Sequence, residues 1–324
     1  MNFTDKTILV TGGTGSFGKA YVSNLLNSHN PKKVIVFSRD ELKQSEMRNS
    51  FSNDPRLRFF IGDIRDKERL LRALSGVDFV VHAAALKQVD TGEYNPREFI
   101  LTNVIGSQNV VDAAIDCGVR KIVALSTDKA SSPINLYGAT KLTADKLFTA
   151  ANVYSTNSNT KFSVVRYGNV MGSRGSIIPL FQELAAKGLP IPVTDLRMTR
   201  FWITLGQAVK FVDETFSEMN GGELFVPRIP SMKITDLVAA IAPNSKIEEI
   251  GIRPGEKLHE EMISADDSRR TVMQKTKFIL SPTSSEWAYA EPKGDKLPEG
   301  FSYKSDTNDQ WLTQREIKDF IKKN

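Results

Sequence analysis

With 324 residues, 40% of them hydrophobic, the chain carries enough apolar sequence for a real core in one large domain or two unequal ones. The net charge of +5 is a modest surface excess able to steer an anionic substrate, and no basic run with interleaved aromatics points to nucleic acid. Cys117 is the only cysteine, so an intramolecular disulfide is impossible; with no membrane-length apolar run and no signal-peptide pattern, a soluble, cytoplasmic protein is expected.

Lys6-Thr-Ile-Leu-Val-Thr11 reads as a first strand, followed by Gly12-Gly-Thr-Gly-Ser-Phe-Gly18 and a helix carrying Ala20, Val22, Leu25 and Leu26. Strand, glycine loop and helix in that order form the context a dinucleotide fingerprint requires. Gly12, Thr14, Gly15, Ser16, Phe17 and Gly18 are therefore expected to cradle a pyrophosphate, which the helix N-terminus stabilises.

Val34-Ile-Val-Phe-Ser38 is a second strand whose end selects the nicotinamide cofactor. An acid there suits the ribose 2′-hydroxyl of NAD, and an arginine the 2′-phosphate of NADP. Ser38 and Arg39 come first, then Asp40 and Lys43, so NADP is favoured; the alternative is that Asp40 merely caps a helix and Arg39 is solvated. A third strand, Leu57 to Gly62, brings Asp63 and Ile64 towards the adenine. A fourth, Asp78 to Ala84, ends in Ala83, Ala84 and Ala85, small residues that let a ligand lie close, with Lys87 at the mouth of the same crevice. His82 is expected to pack in the sheet, since no acid or cysteine cluster accompanies it and no metal site is read. A long helix from about Asn95 to Asp116 carries Asn103, and Cys117 at its end is a small apolar group.

Lys121-Ile-Val-Ala-Leu-Ser126 is a fifth, buried strand. Thr127, Asp128 and Lys129 emerge at its carboxyl end, where open α/β sheets place their ligands. Pro133 and Asn135 mark a turn, and a helix starts near Leu136 with Tyr137 and Lys141 four apart on one face. A hydroxyl, an acid, a phenol and two amines thus converge on one crevice, as proton-transfer chemistry requires. A simple Asp128–Lys129 ion pair at a strand end is the competing reading.

Lys161 to Tyr167 is a sixth strand, and six strands alternating with helices predict a parallel, doubly wound Rossmann-type sheet. Beyond Gly168 the pattern loosens into glycine- and proline-rich loops, as in a smaller domain capping the crevice. Arg174, Arg200 and Arg253 are candidates to grip phosphate oxygens, with surface salt bridges as the alternative. The expected division is 1–170 plus a returning segment at about 197–230 for the cofactor, and 171–196 with 231–324 for the substrate. Asp309 to Lys323 reads as an amphipathic terminal helix.

The glycine loop together with Tyr137-Gly-Ala-Thr-Lys141 resembles the extended short-chain dehydrogenase/reductase superfamily. More narrowly, the chain resembles the inverting UDP-N-acetylglucosamine 4,6-dehydratases that open pseudaminic acid biosynthesis. That likeness rests on Ser38-Arg-Asp-Glu-Leu-Lys-Gln44, His82-Ala-Ala-Ala-Leu-Lys-Gln-Val89, Leu125 to Lys141, Val165-Arg-Tyr-Gly-Asn169, Arg197-Met-Thr-Arg-Phe-Trp202 and Arg253-Pro-Gly-Glu-Lys-Leu-His259. Two departures stand out: Asp90 replaces a common proline, and Lys129 stands where glucose-type 4,6-dehydratases carry glutamate. The resemblance implies NADP as cofactor, UDP-N-acetylglucosamine as substrate and a homo-oligomer, a hexamer. It implies oxidation at C4 by Tyr137 and Lys141 with Thr127, removal of the C5 proton by Lys129 and protonation of the leaving 6-hydroxyl by Asp128. Lys87, Asn169, Arg174, Thr194, Met198, Arg200, Arg253 and Glu256 are the substrate contacts it implies. The rival readings are a nucleotide-sugar 4-epimerase, a retaining 4,6-dehydratase and an NADP-binding regulator.

Overall fold

Six apolar segments pair side by side in parallel to build the centre of the molecule: β1 (Thr7–Thr11), β2 (Lys33–Ser38), β3 (Leu57–Ile61), β4 (Phe79–His82), β5 (Lys121–Thr127) and β6 (Lys161–Tyr167). The computed structural model describes residues 2–155, 159–171, 177–283 and 290–322. The strands lie in the order β3-β2-β1-β4-β5-β6, so the order reverses between β1 and β4 and opens a crevice at their carboxyl ends. β1, the first four residues of β5 after Lys121 and all of β6 after Lys161 are mostly buried, which is why they read as continuous apolar runs rather than alternating ones. The expected doubly wound Rossmann-type sheet is the one found.

The sheet does not stop at six strands. Leu224–Pro227 adds in parallel beside β6, and Lys277–Leu280, Thr271–Met273 and Asp295–Lys296 follow antiparallel, making ten. Residues 271–280 and 295–296, allotted from sequence to the substrate unit, thus complete the large sheet. They are two to four residues long and two of them are joined by a tight turn instead of a helix, so they lack the strand–helix alternation that marks the others. A second, smaller core gathers Met171, Phe181, Met198, Trp202, Leu237 and Ile317, the last from the terminal helix Gln314–Lys322. Among the described residues no helix is long and apolar enough to cross a membrane.

Helices α1 (Ser16–Ser28), α2 (Glu41–Ser50) and α3 (Lys67–Leu74) connect the first four strands. The single helix expected over Asn95 to Asp116 is instead α4 (Val89–Tyr94), α5 (Pro96–Phe99), a π-helical turn at Ile100–Ile105 and α6 (Gly106–Asp116). Asp90 lies in the first turn of α4. The π turn carries Asn103 inwards, where its side chain accepts from Leu86 N (2.8 Å) and donates to Leu86 O (2.9 Å) and Thr140 Oγ1 (3.1 Å). α7 (Leu136–Tyr154) is capped by Asn135, whose Oδ1 accepts from Gly138 N at 2.7 Å. A side chain at Gly138 would collide with the carbonyl oxygen of Lys129, so the glycine after Tyr137 lets this helix press against the end of β5.

Candidate active site

Thr127 is the last residue of β5, and the chain then makes a single 3-10 turn, Asp128–Ala130, that swings the next two side chains under the crevice. Thr127 Oγ1 donates to Asp128 Oδ1 at 2.9 Å, and Lys129 Nζ lies 3.1 Å from the same oxygen. Lys129 Nζ also lies 3.0 Å from Oε1 of Glu260, and Arg200 Nε stands 3.6 Å from that oxygen. Tyr137, in the first turn of α7, is hydrogen-bonded to the Thr127 side chain. Lys141 Nζ donates to the Leu125 carbonyl at 2.7 Å. Thr127, Asp128, Lys129 and Tyr137 meet around a knot of two carboxylates and two cations, while Lys141 turns to the Leu125 carbonyl.

The electrostatics follow from that knot. Burial and the nearby Glu260 carboxylate push the Asp128 carboxyl above its ordinary range. Burial by itself would lower Lys129, but the Asp128 and Glu260 carboxylates outweigh it and hold the ammonium more firmly than in free lysine. Burial likewise opposes ionisation of Glu260, yet Lys129 and Arg200 together keep it ionised. A lysine acting as base needs its pKa brought down towards neutrality, and the Asp128 and Glu260 carboxylates do the opposite in the resting site. Tyr137 is pushed up to about 12 by burial, against the opposing pull of Lys129 and the Thr127 hydrogen bond. Burial lowers the Lys141 ammonium, which donates to the Leu125 carbonyl.

The glycine loop fits a dinucleotide. Gly12 sits at φ +63°, where an added Cβ would come within 2.9 Å of the Ala84 backbone, and one on Gly18 within 2.5 Å of Gly13 Cα. These two glycines let chain pack on chain. Gly15 is exposed, meets only the Gly12 carbonyl oxygen at 3.2 Å, and caps α1 with no side-chain bond, so the first-turn N–H groups face the crevice. Thr14 and Ser16 flank it half-buried, whereas Phe17 stacks on Tyr21 with ring centroids 5.7 Å apart. Ala83 and Ala84 N–H groups donate to Thr11 Oγ1 at 3.1 and 3.2 Å, and Ala85 is exposed beyond them.

Several expected cofactor contacts have other partners. Ser38 Oγ accepts from Gln44 Nε2 at 3.0 Å, and Asp40 caps α2 through Lys43 N at 3.0 Å while pairing with the Lys43 ammonium. Ile64 turns its side chain into the core against Gly106, and the Asn103 amide is fully committed to Leu86 and Thr140. These side chains shape the crevice. Arg39 remains exposed, with Nη1 3.5 Å from Asp63 Oδ2. His82 packs in the sheet as expected.

On the substrate side Lys87 and Arg253 are exposed, and Asn169 and Glu256 are half-buried. Arg174 lies outside the described residues. Met198 belongs to the smaller core, and Thr194 Oγ1 points at its sulfur at 3.4 Å. Arg200 donates to the carbonyls of Thr199 (2.7 Å), Leu258 (3.0 Å) and Lys257 (2.9 Å), so this guanidinium braces a loop and is not free to grip phosphate. Glu260, the second carboxylate on Lys129, is the member of this knot that the sequence reading missed. Its one signal was the acidic pair Glu260-Glu261 directly after the Arg253–His259 motif.

The family model described as "Polysaccharide biosynthesis protein" matches residues 8–282. The chain belongs to that family. It is 55% identical to the UDP-N-acetylglucosamine 4,6-dehydratase (inverting) of Campylobacter jejuni subsp. jejuni serotype O:23/36, over 98% of each chain. It is 45% identical to a UDP-glucose 4-epimerase of Rickettsia akari, over 82% of this chain and 80% of the other. The crystal structure of Pen from Bacillus thuringiensis superposes with a TM-score of 0.91 at 41% identity, over the whole of both chains. DesIV of Streptomyces venezuelae, a dTDP-glucose 4,6-dehydratase solved with NAD bound, gives a TM-score of 0.69 at 27% identity, over 78% of this chain and 86% of that one. The resemblance read from the motifs therefore holds along the chain.

Proposed function

We propose that this protein is a nicotinamide-dependent UDP-N-acetylglucosamine 4,6-dehydratase that inverts C5, giving UDP-2-acetamido-2,6-dideoxy-β-L-arabino-hex-4-ulose. The observation that carries the reading is the contact of half-buried Lys129 with buried Asp128 at 3.1 Å, directly beyond Thr127 and beside Tyr137. The name of the Campylobacter jejuni relative supports it. Exposed Arg39 at the end of β2 supports NADP as the cofactor. The pathway is then the opening of pseudaminic acid biosynthesis, in the cytoplasm, by a homo-oligomer.

A nicotinamide cofactor held by the glycine loop from Gly12 to Gly18 would supply the hydride acceptor for C4 and the hydride donor for C6. Burial above all keeps Tyr137 a phenol; the Lys129 ammonium and the Thr127 hydrogen bond pull the other way, as would a positive nicotinamide ring, and as phenolate Tyr137 accepts the proton of the 4-hydroxyl. The 4-ketone so formed acidifies the proton on C5. Asp128 and Lys129 share one proton across 3.1 Å, as carboxylate and ammonium at rest and as acid and amine in the working form. In the working form the Lys129 amine takes the C5 proton while Asp128 protonates the 6-hydroxyl, which leaves as water. The pair returns to its resting form, C6 receives hydride, C5 takes a proton from solvent on its other face, and Tyr137 releases the proton it accepted to solvent.

Several curated relatives are named as 4-epimerases, the competing reading. Epimerisation moves a hydride at C4 and has no use for an acid–base pair aimed at C5 and C6, which Asp128 and Lys129 supply. Incubation with UDP-N-acetylglucosamine in heavy water separates the two. The 4-keto-6-deoxy sugar of L-arabino configuration with deuterium at C5 is expected. UDP-N-acetylgalactosamine as the only product, or a D-xylo ketosugar at early times, overturns the assignment.

A further inference from the structure

Lys129 does not face Asp128 alone. Glu260 reaches it from the far end of the chain, 131 residues on, with a side chain only 2% exposed. Ionised carboxylates are rarely buried unless paired, and this one is paired twice, to Lys129 at 3.0 Å and to Arg200 at 3.6 Å. Arg200 in turn holds the carbonyls of Leu258 and Lys257, so the loop carrying Glu260 is braced by the same guanidinium that neutralises it. Among the described residues, Asp128 Oδ2 and Glu260 Oε2 are both buried without a hydrogen-bond partner. The two carboxyls are therefore alike in geometry, each with one oxygen on Lys129 and one bare. They differ in charge environment, since only Glu260 has an arginine against it.

We propose that Glu260 is a positioning residue of the elimination step: paired with Arg200 on one side and Lys129 on the other, it anchors Lys129 and retains the shared proton in the Asp128–Lys129 pair. This rests on the dehydratase reading above. A fixed negative charge on the far side of Lys129 strengthens proton binding by the pair as a whole, whichever member holds the proton. It also stops the lysine side chain from swinging out of line with C5. The other groups facing the knot are Tyr137 from α7, Lys257, whose ammonium donates to the Ser131 carbonyl, and Glu261, which accepts from Ser131 and Ser132. None of these lies between Glu260 and Lys129.

The test is the pH dependence of kcat for ketosugar formation in wild type, Glu260→Gln and Glu260→Asp. The alkaline limb reports loss of the shared proton. Removing the charge in Glu260→Gln should move that limb down by roughly one pH unit or more and lower kcat by at least about tenfold, with KM little changed. Glu260→Asp keeps the charge, so its limb should stay near that of wild type even if kcat falls. A Glu260→Gln limb coincident with wild type overturns the proposal, whatever happens to kcat, because a purely structural role leaves the limb in place. Should Glu260→Gln not fold, the Lys129 Cε resonance of wild-type protein, assigned by its loss in Lys129→Ala, decides the matter. It should titrate above the ordinary lysine value of about 10.4, and titration at or below that value overturns the proposal. Wild-type protein that makes no ketosugar would instead sink the dehydratase reading, a different failure.

Discussion

Asp145 Oδ2 on α7 accepts a hydrogen bond from Arg166 Nη2 on β6 at 3.0 Å, with both side chains at or below 5% exposure. The same oxygen accepts from Ser126 on β5 at 2.8 Å, and Arg166 Nη1 donates to the Met262 carbonyl at 2.9 Å. One buried ion pair therefore ties the tyrosine helix, two central strands and the segment bearing Glu260. A paired buried charge adds little net stability, but removing one partner leaves the other uncompensated. Asp145→Ala should lower unfolding free energy by about 3–5 kcal/mol in urea denaturation. A loss below about 1 kcal/mol would show that the pair is not what holds these elements together.

His82 should make stability fall in mild acid. Thr11 Oγ1 accepts from the Ala83 and Ala84 N–H groups, which leaves its proton for His82 Nδ1 at 2.9 Å. Nδ1 then accepts and Nε2 carries the hydrogen, facing Ser107 Oγ at 3.4 Å. Burial, with Lys141 nearby, lowers the imidazole to about 3. Its folded value lies below the unfolded value of about 6.5, so the unfolded chain binds the extra proton, and stability present above about pH 6.5 is lost as pH falls towards 3. His82→Gln should flatten the slope of unfolding free energy against pH in that window. An unchanged slope would mean that carboxylates carry the acid sensitivity.

Arg39 should decide between the two nicotinamide cofactors. It leans on Asp63 at 3.5 Å but is more than half exposed, a contact worth little in water. A 2′-phosphate can displace it and gain a charge-assisted bond. Arg39→Ala should cost NADP roughly 1.5–3 kcal/mol of binding and leave NAD nearly unchanged. Calorimetry that finds equal affinities for the two cofactors in the unmodified protein would overturn the NADP assignment.

The legible parts of the chain were those whose causes are local. β1 to β5 could be read because each is an apolar run leading to a helix, β6 because it is a long apolar run after the tyrosine helix, and Thr127 to Lys141 because its reactive groups sit on one strand end and the next helix. The antiparallel strands after Thr271 were missed because they are short and joined without helices. Asn103 and Ser38 were read as ligand contacts, and each also bonds to the chain, through Leu86 and Gln44, pairings that no local pattern announces. Glu260 was invisible for a different reason. Its partner Lys129 is 131 residues away, and no periodicity or spacing carries such a pairing.

Arg200 and Arg253 should separate cleanly although sequence placed both on phosphate. Arg200 is 5% exposed and holds three carbonyl oxygens and two carboxylates, so its charge is already matched inside the protein. Arg253 is exposed at the start of the loop that Glu256 closes, with its backbone N–H turned towards that carboxylate at 3.5 Å. A phosphate-gripping side chain contributes equally to ground and transition states, so its loss raises KM and spares kcat. Arg253→Ala should therefore raise KM for the nucleotide sugar by about tenfold, the scale of one charge-assisted hydrogen bond, at unchanged kcat and unchanged melting temperature. Arg200→Ala should instead orphan the buried Glu260 carboxylate and the three carbonyls, lowering stability by about 3–5 kcal/mol and kcat together. Paired thermal-melt and steady-state measurements distinguish the two residues. A stable Arg200→Ala protein altered only in KM would return Arg200 to the phosphate and remove the brace from beneath Glu260.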